Sequence, residues 1–130
     1  MEMKITFPGG KRVNAEFGGF SVATDQPAGV GGEGSAPTPF DTFLASIATC
    51  AGIYVVGFCQ TRGIPTENIK MVQVVERDAQ THKLARVRID IQVPPGFPEK
   101  YLEPLRRAAE SCAVKKAIQD PPEFVVQAHL

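Results

Sequence analysis

From Arg86 to Val93 the chain alternates strictly: Val87, Ile89, Ile91 and Val93 point one way, Arg86, Arg88, Asp90 and Gln92 the other. A two-residue period of this kind belongs to a half-buried antiparallel strand, here predicted over about Ala85 to Val93. A partner strand is predicted over about Ile69 to Arg77, with a polar turn between the two. Nearer the start, strands are predicted at Lys4 to Phe7, at Arg12 to Phe17, where Val13, Ala15 and Phe17 alternate, and at Phe20 to Ala23. Pro8-Gly9-Gly10 and Gly18-Gly19 supply the turns.

The pattern changes between Thr42 and Gln60, TFLASIATCAGIYVVGFCQ, which carries no charge at all. A helix start precedes it: Thr38 as N-cap, Pro39 in the first helical position, and Asp41 at the positive end of the macrodipole. The helix should run to about Arg62, where Gly63 and Pro65 stop it. Its length is that at which a membrane span must be weighed. Ser46, Thr49, Gly52, Gly57 and the amphipathic strands on both sides favour a central helix covered by sheet and by a partner, and no membrane partner is expected.

A second helix is predicted from Pro98 to about Ile118, with Tyr101, Leu102, Leu105 and Ala109 on one stripe and Pro104 marking a kink or restart. A closing strand is predicted at Phe124 to Ala128. Three strands, a helix, two strands, a helix and a strand define an α+β fold built on antiparallel sheet. One domain, 1–130, is expected.

The segment Asp25 to Pro37, DQPAGVGGEGSAP, is too rich in Gly and Pro for an element and is read as a flexible loop. Gly29, Gly31 and Gly34 form a literal G-x-G-x-x-G. No strand leads into it and no helix follows at once, so the nucleotide-binding context is missing.

Lys+Arg and Asp+Glu each number 14, so the net charge is zero and the excess basic charge of a nucleic-acid-binding surface is absent. The start, MEMKITFPGG, has no apolar stretch behind a basic one, so no secretory signal is expected and a cytoplasmic location is. With three cysteines, widely spaced and without a C-x-x-C pair, neither a disulfide scaffold nor a zinc site is expected. His82 and His129 show no ligand-like spacing either.

Cys50 lies within the uncharged helix. Cys59, nine residues on, falls about half a turn out of phase at about 100° per residue, which places it on the opposite face as a small core hydrophobe. Cys112 falls in register with Leu105 on the stripe of the second helix. If the two helices cross there, Cys50 and Cys112 meet at disulfide distance; otherwise they are two unrelated buried thiols. A working thiol also needs a neighbour that favours the thiolate. The candidate cations are Lys11, Arg12, Arg106, Arg107, Lys115 and Lys116.

The segment SAPTPFDTFLASIATC, Ser35 to Cys50, together with AESCAVKKAI around Cys112, resembles the OsmC/Ohr family of osmotically inducible and organic-hydroperoxide-resistance proteins. Pro39, Cys50 and Cys112 match its frame of a proline heading a long buried helix, a cysteine within that helix and a second cysteine far downstream. The resemblance implies antiparallel sheets packed around two long central helices in an intertwined homodimer, with strands of both subunits in shared sheets. It also implies thiol peroxidase chemistry with no cofactor or metal: Cys50 becomes a sulfenic acid, Cys112 resolves it as a disulfide, and an external dithiol reduces that disulfide. A lining of Phe40, Phe43, Ile47 and Tyr54 would suit a small-molecule organic hydroperoxide.

Phe40 stands where Ohr members carry a Glu that holds a catalytic Arg. Arg12, in GGKR, is the nearest counterpart of that Arg, with Lys11 a weaker one. The chain therefore resembles the OsmC-like branch more than Ohr itself. The competing reading is a non-catalytic dimer acting as a structural or small-hydrophobe-binding protein.

Overall fold

In the computed structural model, which describes all 130 residues, three N-terminal strands form one antiparallel meander: β1 (Lys4–Gly9), β2 (Arg12–Phe17) and β3 (Phe20–Thr24). The β2–β3 turn is the two-residue loop Gly18-Gly19. Both residues have positive φ, 54° and 80°, as a hairpin turn matching the strand twist demands, and Phe17 pairs with Phe20 across it.

Next comes α1 (Pro39–Gln60), a helix of 22 residues. Its start is a reciprocal cap: the Asp41 N–H donates to Thr38 Oγ1 at 3.1 Å, and the Thr38 N–H donates to the Asp41 carboxylate at 3.3 Å. The sequence signal at Thr38, Pro39 and Asp41 is thus realised residue for residue. By length and composition α1 could cross a membrane, and 28% of its most apolar window is buried within the chain.

A second antiparallel hairpin follows, β4 (Lys70–Arg77) and β5 (Leu84–Gln92), in register from Lys70 opposite Gln92 to Glu76 opposite Arg86. Its turn is held by the Asp78 carboxylate, which accepts the N–H groups of Gln80 and Thr81 at 2.9 and 2.7 Å. On β5 Val87, Ile89 and Ile91 are half-buried, as the alternation predicts, and Leu84 joins them, while Val93 is half-buried just past the strand end.

The chain divides into two compact units, Met1–Ser46 and Ile47–Leu130. The core of the second is a stripe on α1, Ala51, Val55 and Cys59, packed with Leu105 and Ala109 and flanked by Ile69, Met71, Ile89 and Ile91. Spacing of four residues keeps Ile47, Ala51, Val55 and Cys59 on one helical face.

The second long helix predicted over Pro98 to Ile118 is instead broken. A single 3-10 turn, Glu99–Tyr101, leads into α2 (Leu102–Glu110), and α3 (Ala113–Gln119) follows after a gap at Ser111 and Cys112. Pro104 causes no kink, because it lies in the first turn of α2, where a backbone N–H has no intrahelical partner. The break lies at Cys112, whose extended ψ of 124° buries its side chain completely. The single continuous second helix is therefore corrected to two short ones.

The closing strand predicted at Phe124 to Ala128 does not form, since residues 121–130 carry no helix or strand. A strand exists by pairing, and no strand of this chain pairs with that segment.

The Gly-rich loop is organised rather than flexible. Asp25 is buried at its base and its carboxylate accepts the N–H groups of Gln26, Glu33 and Ser35 at 2.7, 3.3 and 3.0 Å and the Ser35 hydroxyl at 2.6 Å. The Asp25 N–H donates to the Pro37 carbonyl at 3.1 Å, which closes the loop. Gly32 has no room for a side chain: a Cβ there would stand 1.9 Å from the Gln26 carbonyl oxygen. Of the G-x-G-x-x-G glycines, Gly31 and Gly34 have positive φ, 93° and 63°, and serve the turns of a loop wound around a carboxylate.

Candidate thiol site

Two of the three cysteines are brought together. Cys50 lies beside the buried stripe of α1 and is half-buried, while Cys112, capping the start of α3, is fully buried. The Cys112 thiol reaches α1, where it donates to the carbonyl oxygen of Ile47 at 3.9 Å, and it lies near enough to Cys50 to help lower that thiol's pKa.

Three groups lower the pKa of the Cys50 thiol. The Val114 N–H lowers its pKa most, followed by the Cys112 thiol and, less, the Ala113 N–H, while burial pushes the other way. The net direction is below the ordinary cysteine value, because the donors favour the charged form. The break before α3 creates this arrangement. It frees two N–H groups at a helix start and turns Cys112 inward beside them.

Cys59 is the opposite case. Burial pushes its thiol up, with the Arg62 charge only partly countering, and it packs in the core with Val55 and Leu105. The prediction of a core thiol on the far face of the helix agrees with this position.

The three candidate arginines have other engagements. Arg106 bonds to Glu103 at 2.9 Å and also to Glu110, and Arg107 reaches Glu103 at 3.4 Å. These exposed pairs hold the Glu103 carboxyl down at about 2. Arg12 begins β2, in the unit Met1–Ser46, and its Nε donates to the Gly9 carbonyl at 3.3 Å. Lys115 and Lys116 lie on α3, Lys115 half-buried and Lys116 exposed.

The apolar residues expected to line one pocket are distributed. Phe40 and Phe43 form a ring pair 5.4 Å apart in the first unit. Tyr54 lines a shallow apolar hollow with Ile53, Gly57, Phe58 and Ala108. Ile47 lines a groove of about 450 Å³ between β5 and the pair α2 and α3, with Val87, Ile89, Ala109, Lys115 and Ile118 among its other walls. Ile47 is therefore common to the groove and to the thiol contact. No cluster of three or more His, Cys, Asp or Glu side chains stands in metal-binding proximity.

Sequence reasoning missed two features, one at the thiol site and one in the loop of the first unit. One is the pair of backbone donors at Ala113 and Val114, which a helix restart after Ser111-Cys112 would have revealed. The other is Asp25, whose signal was an Asp and a Ser bracketing a Gly-rich stretch, a pattern of side-chain-held loops.

Comparison with known proteins gives the family. The model of the family described as OsmC-like protein matches residues 32–127. Among solved structures, an OsmC-like protein from Mycoplasma pneumoniae superposes with a TM-score of 0.71 at 12% identity, covering 92% of this chain and 87% of the other. The organic hydroperoxide resistance protein OsmC from Legionella pneumophila gives 0.57 at 23% identity, covering 92% and 90%. The organic hydroperoxide resistance protein OhrB of Bacillus subtilis gives 0.54 at 19% identity, covering 93% of each chain. A search of curated proteins returned no match. These structures share the α+β fold, and with a family match over most of its length the chain belongs to the OsmC-like family.

Proposed function

We propose that this protein is a thiol-dependent peroxidase that reduces organic hydroperoxides through Cys50, with Cys112 as the resolving cysteine. The observation that carries the reading is the meeting of these two thiols beside the N–H groups of Ala113 and Val114. Membership in a family with relatives named for organic hydroperoxide resistance supports it.

In the first step the Cys50 thiolate attacks one peroxide oxygen, and an S–O bond forms as the O–O bond breaks. The departing alkoxide takes a proton to become the alcohol, leaving Cys50 as sulfenic acid. The Cys112 sulfur then attacks the Cys50 sulfur, an S–S bond forms, and the hydroxyl leaves as water with the Cys112 proton. An external dithiol reduces the disulfide by exchange and is itself oxidised. Hydrogen bonds from Val114, Cys112 and Ala113 take the place of a cation in favouring the thiolate. Arg12 is proposed to assist once substrate is bound.

The working form is proposed to be a cytoplasmic homodimer. Phe7, Phe20, Ile53 and Tyr54 are exposed in the single chain, as is the unpaired segment Phe124, Val125 and Val126, and a monomer rarely leaves so much apolar surface open. A second chain would cover α1 and pair with the free segment.

The test is consumption of cumene hydroperoxide in the presence of a dithiol such as dithiothreitol. Catalysed loss is expected from the parent protein and none from Cys50→Ser. Equal rates from both would end the proposal.

A further inference from the structure

α3 is lightly held. Ala113, Lys116, Ala117, Ile118 and Gln119 are exposed, no side chain caps its start, and the extended Cys112 separates it from α2. At its N-terminal end it meets α1 through the Cys112 sulfur near the Ile47 carbonyl and through the Ala113 and Val114 N–H groups near Cys50. Cys50 is anchored differently, within the 22-residue α1 and next to the fully buried Ala51.

Joining Cys50 to Cys112 alters these attachments together. The two sulfurs draw together into a covalent bond. Cys112 loses the proton it could direct at Ile47 or Cys50, and Cys50 loses the anionic form that the Ala113 and Val114 N–H groups favour, since a neutral sulfur is a weak acceptor. One side of the new bond is a long helix set in the core, so the adjustment falls on the short one.

We propose that α3 is a redox-driven lid: disulfide formation between Cys50 and Cys112 displaces α3 and opens the groove that its Lys115 and Ile118 help to wall. The lid rests on the reading of the two thiols as a redox pair. It would give that pair a useful asymmetry. The groove is narrower in the dithiol form and opens when the disulfide awaits an external dithiol.

The test uses the full-length protein and diamide, an azo oxidant whose N=N bond accepts the two electrons and two protons released by the thiols. Peptide mapping without reductant first establishes whether the Cys50–Cys112 bond has formed. Hydrogen exchange over residues 113–119 and tryptic cleavage after Lys115 and Lys116 are then compared between the two forms. The lid predicts exchange about tenfold or more faster in the disulfide form, a local opening of a weakly held element, with faster cleavage at both lysines and unchanged exchange in the middle of α1. Formation of the bond with equal or slower exchange in α3 overturns the lid alone. Failure of the bond to form overturns the redox-pair reading and the lid with it. Diamide-treated Cys112→Ser should match its untreated form, and an equal acceleration there also overturns the lid.

Discussion

Cys112 lies beside Cys50 and helps to lower the pKa of its thiol, although 62 residues separate them in sequence, and the two meet where the chain leaves its helix at Cys112. Cys50 should therefore alkylate with a pH midpoint below that of an ordinary cysteine, while the buried Cys59 should resist modification. Iodoacetamide rates followed by peptide mass mapping across pH would check this. Cys112→Ala removes the second-ranked donor and should move the Cys50 midpoint upward, leaving the Val114 and Ala113 N–H groups in place.

Leu105 is the α2 side chain buried deepest against the α1 stripe. Leu105→Ala should cost about 2–5 kcal/mol of folding stability, read as a lower midpoint in chemical denaturation.

Asp25 offers a pH test. Its folded carboxyl is lowered to about 2, first by the Ser35 hydroxyl and then by the Ser35 and Gln26 N–H groups, against about 3.9 in an unfolded chain. A depressed carboxyl contributes stability that is present above the unfolded value and is lost as pH falls toward the folded one. Asp25→Asn, with a neutral amide among four donors, should melt several degrees lower at neutral pH. Between about pH 4 and pH 2 it should lose less stability than the parent. Thermal melts of both proteins across that range would decide.

The proposed dimer makes a mass prediction. Sedimentation should return twice the 14.0 kDa of the chain, and Ile53→Asp, a charge on the exposed face of α1, should shift the population toward monomer. An unshifted dimer would remove that face from the interface.

How much of this was legible in sequence depended on whether a feature is decided locally. Thr38, Pro39 and Asp41 fix the start of α1 through bonds three residues long, and the β5 alternation reports a face directly, so both were predicted correctly. The break at Ser111 and Cys112 accompanies a long-range contact, the Cys112 thiol at the Ile47 carbonyl of α1, which a local pattern does not report. Register with Leu105 predicts Cys112 on the stripe of a continuous helix, whereas its burial is achieved by leaving the helix. Phe124 to Ala128 carries strand-forming residues but needs a neighbouring edge that the single chain does not offer. Asp25 organises its loop through a residue ten positions away, beyond the reach of a composition argument.

The most direct test of the central claim is peptide mapping without reductant after one equivalent of cumene hydroperoxide. A bond joining Cys50 to Cys112, with loss of two hydrogens and Cys59 left free, is the predicted result. Cys50 and Cys112 both recovered as thiols, with the hydroperoxide unconsumed, would contradict the account.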